Sequence, residues 1–144
     1  MKIHYLDPSA WIKRHFQEIG SEAIIRLFRT PLAAACCRLG LVEMIATVSR
    51  KCQQESPANA MMNAILDNVR ADFDSFRIVA VDEPRIVEAT ELAIRFRLRT
   101  MDAIHLACAL SLRTAGEIVM VSSDVELLAA AVQCGLSTVN PARE

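Results

Sequence analysis

The sequence predicts an α/β protein built on a mainly parallel sheet. Three features carry that expectation: short apolar runs of strand length, segments of helical periodicity between them, and Pro or Gly at the joints. The 144 residues are expected to form one domain, 1–144, long enough to bury roughly two thirds of the unfolded chain's surface. Hydrophobic residues at 53%, with only 4 Gly and 5 Pro, fit a compact chain and exclude a disordered one.

Taken in order, Ile3 to Leu6 is an apolar run of strand length that ends in Asp7. Pro8 follows, and Ala10, Trp11, Ile12 and Phe16 fall in a helical pattern. Ser21 to Phe28 reads as a short helix, stopped by Thr30-Pro31. The small apolar residues of Leu32 to Cys37 suit a second strand. Leu39 to Gln53 reads as a long helix, apolar on nearly every side and so expected to have little exposure. Gln53 to Asn59, with Ser56-Pro57, is the most loop-like stretch. A helix then spans Ala60 to Phe73, spaced on Met61, Ile65, Val69 and Phe73. Arg77 to Val81 makes a third strand, and Pro84 opens a helix that runs to Phe96. The basic run Arg95 to Arg99 leads into a helix from Asp102 to Leu112, ended by Gly116. Ile118 to Val121 is the fourth strand, Asp124 to Cys134 a helix stopped by Gly135, and Ser137 to Asn140 a short last strand.

Charge and cysteine usage narrow the function classes. With 16 basic and 17 acidic residues the net charge is -1, which argues against nucleic-acid binding driven by overall charge. Such binding then needs a local basic patch or a bridging metal. No apolar run reaches the about 20 residues of a membrane helix, and the N-terminus carries no charged-then-apolar leader pattern, so no membrane partner is expected. The five cysteines, at 36, 37, 52, 108 and 134, show no CxxC spacing and suit reduced thiols of a cytoplasmic protein. His4, His15 and His105 form no ligand-spaced set with them, so zinc is not expected.

Several carboxylates stand where a site could form. Asp7 and Asp124 each follow an apolar strand and precede a helix, so neighbouring parallel strands would bring both into one crevice. Each also has a purely local reading. Asp7 with Pro8 simply starts a helix, and Ser123-Asp124-Val125-Glu126 is a capping box worked by Ser123 and Glu126. Glu43 lies between Leu39-Gly40-Leu41-Val42 and Met44-Ile45-Ala46, where a buried carboxylate needs a partner, a proton or a metal; an exposed polar stripe is the alternative. Asp102 begins its helix with Thr100 available as cap, which alone is dipole complementation. Asp82 repeats the strand–acid–helix pattern, and spacing does not rank it below Asp124. Four acids in one pocket would repel each other unless a cation neutralised them. Oxygen donors without thiolate or imidazole suit Mg²⁺ or Mn²⁺, ions that activate water for phosphodiester displacement.

Four blocks together resemble the PIN domain, and most closely the VapC-like toxins of type II toxin–antitoxin pairs. They are Tyr5-Leu6-Asp7-Pro8-Ser9-Ala10; Leu41-Val42-Glu43 followed by Ala46; Arg99-Thr100-Met101-Asp102-Ala103-Ile104-His105-Leu106-Ala107; and Val121-Ser122-Ser123-Asp124 followed by Leu127. Each block is weak alone, but their order, spacing and spread over nearly the whole chain make the set specific. The resemblance implies a PIN-like three-layer fold, a five-stranded mainly parallel sheet flanked by helices. It implies an endoribonuclease, cleaving RNA phosphodiesters with water activated by Mg²⁺ or Mn²⁺. Position by position, Asp7, Glu43, Asp102 and Asp124 become the catalytic acids, with Asp7, Asp102 and Asp124 holding the metal. Asp82 drops out, because the family has no ligand there. Ser9 matches a small hydroxyl that often lines the pocket, with a helix-start role as the alternative. His105 matches a position common in the family without a catalytic role, a packed or hydrogen-bonded histidine. Pro8 stands for a frequent threonine and Cys36-Cys37 for the usual Ser or Thr, which removes no ligand but leaves fewer polar contacts near the pocket. Arg97 and Arg99, with Arg95, Lys13 and Arg14, are candidates for gripping RNA phosphates, against the alternative of a solvated face. Family members are commonly homodimers, with a cognate antitoxin covering the pocket. Trp11, Phe16, Ile24 and Leu27 belong either to such a surface or to ordinary core, and core is the expectation.

Competing readings leave different marks. A phosphoacceptor domain would want an acidic pair after the first strand and a lysine after the last, where Asp7-Pro8 and Asn140-Pro141 stand. A haloacid-dehalogenase-like phosphatase would want an aspartate at the position of Ser9. A PIN ribonuclease of RNA processing, outside any toxin pair, and an inactive PIN-fold binding module remain the alternatives within the resemblance.

Overall fold

A computed structural model describes residues 1–55 and 59–144. Strands β1 (Lys2–Leu6), β2 (Ala34–Cys37), β3 (Arg77–Val79), β4 (Glu117–Val121) and β5 (Ser137–Val139) form one sheet in the order β3-β2-β1-β4-β5. Every pairing is parallel. Helices α1 (Pro8–Trp11), α2 (Ser21–Phe28), α3 (Arg38–Glu55) and α4 (Asn59–Ser75) lie on one face. On the other lie α5 (Glu83–Phe96), α6 (Thr100–Ser111) and α7 (Val125–Gln133). The expected five-stranded, three-layer α/β architecture is the one observed.

Pleating divides the core between these layers. Ile3, Tyr5, Cys37 and Met120 join Leu92, Leu106 and Leu127 on the α5–α7 side, while Leu6, Cys36, Val119 and Val121 join Trp11, Met44 and Val69 on the other. Because both faces are covered, the strands read as unbroken apolar runs rather than as an alternation. The chain lays β2 and β3 to one side of β1, then crosses to place β4 and β5 on the other. Strand order therefore reverses between β1 and β4, and the crevice outside their carboxyl ends is where open α/β sheets take ligands. Leu6 pairs with Val121, so the residues leaving the two strands, Asp7 and Ser122-Ser123-Asp124, emerge side by side.

Some elements differ from their expected form. After α1 the chain tightens into a 3-10 turn over Ile12–Arg14, which carries Arg14 and His15 onto Asp72 of α4. Trp11 is fully buried, stacked on Phe73 and tilted against Phe76, and Ile24 is buried with it; Phe16 and Leu27 pack at the edge of the same cluster. That set is core. The long helix α3 is less covered than its composition suggests. Its buried stripe, Gly40, Met44, Val48 and Cys52, recurs every fourth residue, and Val42 is 64% exposed. The helix packs on β2, α1 and α4, leaving the flank of Leu39, Val42 and Ala46 to line a groove of about 390 Å³. Of the loop expected over Gln53 to Asn59, residues 56–58 lie outside the described residues, while α3 continues to Glu55 and α4 begins at Asn59. Among the described residues, no helix is long and apolar enough to cross a membrane.

Candidate active site

Asp7 occupies the N-cap position of α1, with Pro8 at the first helical place, yet its side chain makes no capping bond. The helix start and the site are therefore compatible uses of one residue. Released from capping, the carboxylate turns to the β4 side, where Oδ2 accepts hydrogen bonds from Ser9 Oγ at 2.5 Å and Ser122 Oγ at 2.8 Å. Each hydroxyl spends its single proton on Asp7 and accepts a backbone N–H from the next loop: Ser9 from Ser123 at 3.0 Å, Ser122 from Asp124 at 2.9 Å. This ladder fixes the rotamer of an aspartate only 5% exposed. Among the described residues nothing donates a hydrogen bond to Oδ1, which lies 3.7 Å from His105 Nε2.

Asp124 is the N-cap of α7, its Oδ1 accepting Leu127 N–H at 3.0 Å. The sequence pattern places that cap on Ser123, whose Oγ is in fact buried without a partner. The capping register thus sits one residue later than expected, because Ser122 already engages the loop amide of Asp124. Asp102 lies in the first turn of α6; the N-cap there is Arg99, and Thr100 is already helical, so Thr100 is not the cap. Burial and the neighbouring carboxylates of Asp124 and Asp7 push Asp102 up to about 6, with His105 pulling the other way. Such a shift is what crowded carboxylates produce when the counter-charge beside them is too little to balance them.

Glu43 enters from α3 and is 31% exposed at its side chain, so it is neither fully buried nor part of a free polar stripe. Its partner is His105, fully buried, whose Nε2 donates to Glu43 Oε1 at 2.5 Å. On the other side of the ring, Tyr5 Oη lies 2.8 Å from Nδ1 and accepts Cys37 N–H at 3.1 Å. Burial works against a charge on this imidazole, but the Cys37 thiol, Glu43 and Asp7 together hold its pKa well above the usual value. His105 is hydrogen-bonded, as expected; that it positions Glu43 was invisible in the spacing.

The structure thus brings Asp7, Asp102 and Asp124 together, with Glu43 joined to them through His105. Asp82 stands apart: it caps α5 through Arg85 N–H, beyond the edge strand β3. Lys13 and Arg14 are committed elsewhere, Lys13 to Glu18 and Arg14 to Asp72, and so do not line the crevice. Arg97 closes α5 in a left-handed conformation (φ 55°), and Arg99 precedes the first turn of α6; both are exposed. Arg95 leans over Phe96 and lines a hollow with Arg113 and Cys134. Arg50, which sequence reasoning missed, lines the groove that also borders Glu43. Among the described residues, His105 is the only ion-pair partner of the four acids. A Cys36–Cys37–His105 cluster was also missed, since β2 and α6 assemble it across long sequence separations.

The PIN domain family model matches residues 4–132. Over 105 residues the chain is 31% identical to Ribonuclease VapC46 of Mycobacterium tuberculosis, covering 73% of this chain and 72% of that protein. Among solved structures, a toxin–antitoxin complex from Klebsiella pneumoniae superposes with a TM-score of 0.69 at 15% identity, covering 96% of this chain and 97% of that one. VapC20 of Mycobacterium tuberculosis, described as a Sarcin-Ricin loop cleaving toxin, gives 0.67 at 17% identity over 88% and 94%.

Proposed function

The chain belongs to the PIN domain family, and from that premise we propose that residues 1–144 act as a single metal-dependent endoribonuclease domain, the toxin of a type II toxin–antitoxin pair in the cytoplasm. The observation that carries this reading is the acidic group at the β1/β4 crevice, where Asp7, Asp102 and Asp124 gather and Asp102 stays raised to about 6 although His105 offsets part of the charge. The donor set fits a hard divalent ion, Mg²⁺ or Mn²⁺: carboxylate oxygens alone, with Asp7 Oδ1 receiving no hydrogen bond among the described residues.

Asp7, Asp102 and Asp124 are the ligands. Held there, such an ion would polarise the scissile phosphate and lower the pKa of a bound water, so that hydroxide is available near neutral pH. The protein contributes placement. Ser9 and Ser122 hold Asp7, the α7 amide of Leu127 holds Asp124, and the first turn of α6 carries Asp102. Glu43, steadied on Oε1 by His105, takes the proton of the attacking water on its other oxygen. Ser9 is thereby a positioning hydroxyl whose remaining surface meets substrate. Arg97 and Arg99, joined by Arg50 across the groove, meet RNA backbone phosphates. The toxin–antitoxin complex among the structural neighbours supports a cognate antitoxin as partner, while the homodimer rests on the family resemblance alone.

The test is cleavage of single-stranded RNA by the purified chain with Mg²⁺ or Mn²⁺. Activity should vanish with EDTA and in Asp7→Asn, and induced expression of the wild type alone should arrest growth. Cleavage that survives either treatment overturns the reading.

A further inference from the structure

We propose that Cys36, Cys37 and His105 form a second metal site of opposite chemical character, taking a thiophilic divalent cation such as Zn²⁺ beneath the acidic pocket. Their ligand atoms lie within 4.8 Å of one another, and all three residues are buried. Two sulfurs and an imidazole nitrogen are a soft donor set, the reverse of the carboxylates above it. Gly40 makes room for it: a Cβ there would overlap Cys36 Sγ, so the first turn of α3 leaves that sulfur its place. Cys37 Sγ lies 3.7 Å from His105 Nδ1. The opposite nitrogen, Nε2, is already bonded to Glu43, which gives the ring the carboxylate–histidine arrangement that orients zinc ligands.

The Cys108 thiol adjoins Cys37 but stands outside the three-residue cluster, which leaves the fourth position to a water. Zinc bonds of about 2.3 Å to sulfur need the two cysteine sulfurs to close by roughly an ångström. Tyr5 Oη must also yield its place on Nδ1, and the coordinating thiols release their protons to solvent on binding. Both ring nitrogens of His105 then serve metal chemistry, one toward each site.

Cobalt(II) titration of the reduced wild-type chain tests this, because thiolate-to-cobalt charge-transfer bands cannot arise at an all-oxygen site. One equivalent is expected to produce those bands with tetrahedral d–d absorption; Cys37→Ser should lose them and Cys134→Ser should keep them. Absence of the bands at saturating cobalt, or their persistence in Cys37→Ser, overturns the site. Should Cys37→Ser fail to fold by circular dichroism, X-ray absorption on the zinc-loaded wild type decides. A shell with at least two sulfurs at about 2.3 Å supports the site, and a shell of oxygen and nitrogen alone removes it. Neither readout involves RNA, so failure here leaves the nuclease reading untouched.

Discussion

Asp7 and Asp72 are equally deep in the protein, 5% and 7% exposed, and their surroundings are opposite. Asp72 sits among donors that balance it: Trp11 Nε1 at 2.9 Å, His15 Nε2 at 2.8 Å, and Arg14 Nε within 3.1 Å of both oxygens. Burial alone would raise its pKa, but the His15 and Trp11 bonds and the Arg14 charge bring it below the usual carboxylate value. Asp7 receives two neutral hydroxyls on one oxygen; the other lies 3.7 Å from His105 Nε2, a histidine it shares with Glu43, and further acids crowd the same crevice. A buried carboxylate met by the protein's own cations fastens α1 to α4. One crowded by other carboxylates, with a single shared histidine against them, suits the proposed role of taking a charge from outside. Depth therefore does not separate structural from functional acids here; completeness of neutralisation does.

Exchanging the two charges gives the largest contrast. Asp7→Asn is expected to lower RNA cleavage by at least about a hundredfold, the scale of losing a charge-stabilising group in the transition state, while the melting temperature stays near wild type or rises. Asp72→Asn is expected to do the reverse, costing about 2 kcal/mol in urea unfolding because Arg14 loses its counter-charge and the Trp11 and His15 bonds lose a charged acceptor, with specific activity of the folded fraction kept. If Asp72→Asn abolished cleavage without loss of stability, the division between fastener and socket would be wrong.

A smaller effect separates the two by pH. Asp102 has a folded pKa of about 6 against 3.8 for the free group, so between those values the folded state binds more protons than the unfolded one. Stability of the metal-free chain should therefore fall as pH rises from about 4 through 6, and added Mn²⁺ should restore it above pH 6. Asp72 works in the other direction and in another window. Its folded pKa is depressed, so its contribution is present above the unfolded value of 3.8 and is lost as pH falls through the folded one. Asp102→Asn should flatten the upper slope alone, measured by urea midpoints across that range. An unchanged slope in Asp102→Asn would show that the shift arises elsewhere.

These contrasts also mark how far the sequence could be read. The layer architecture followed from apolar runs between periodic segments, and the acids at the ends of β1 and β4 followed from a repeated strand–acid–helix pattern. What spacing could not supply was the strand order. Asp82 shows the same pattern as Asp124, and only the edge position of β3 removes it from the site. Asp72 carried no signal, because its meaning lies in Trp11, Arg14 and His15, which come from the far side of two helices and a strand. Glu43 was legible as an acid needing a partner, but the partner, His105, is 62 residues away. Likewise Lys13 and Arg14 read as a basic patch until their carboxylates, Glu18 and Asp72, were in view. Periodicity reports which face is buried; long-range polar pairing is a property of the assembled fold.

The finest test of the comparison removes a hydroxyl rather than a charge. Ser9 Oγ donates to Asp7 Oδ2 and accepts Ser123 N–H, so Ser9→Ala withdraws one of two props from Asp7 and one acceptor from the loop that carries Asp124. Ser122 still holds Oδ2 at 2.8 Å, so the carboxylate stays in place but with more freedom. Mn²⁺ affinity by calorimetry should drop by about tenfold, the lower range for groups that orient metal ligands, with a stability loss of about 1 kcal/mol. The matching change at the other aspartate, His15→Gln, should cost stability and leave Mn²⁺ affinity where it was. Equal metal affinity in wild type and Ser9→Ala would mean that Ser122 alone fixes Asp7. The hydroxyl of Ser9 would then act only as a loop brace, and the ladder between β1 and β4 would have one functional rung instead of two.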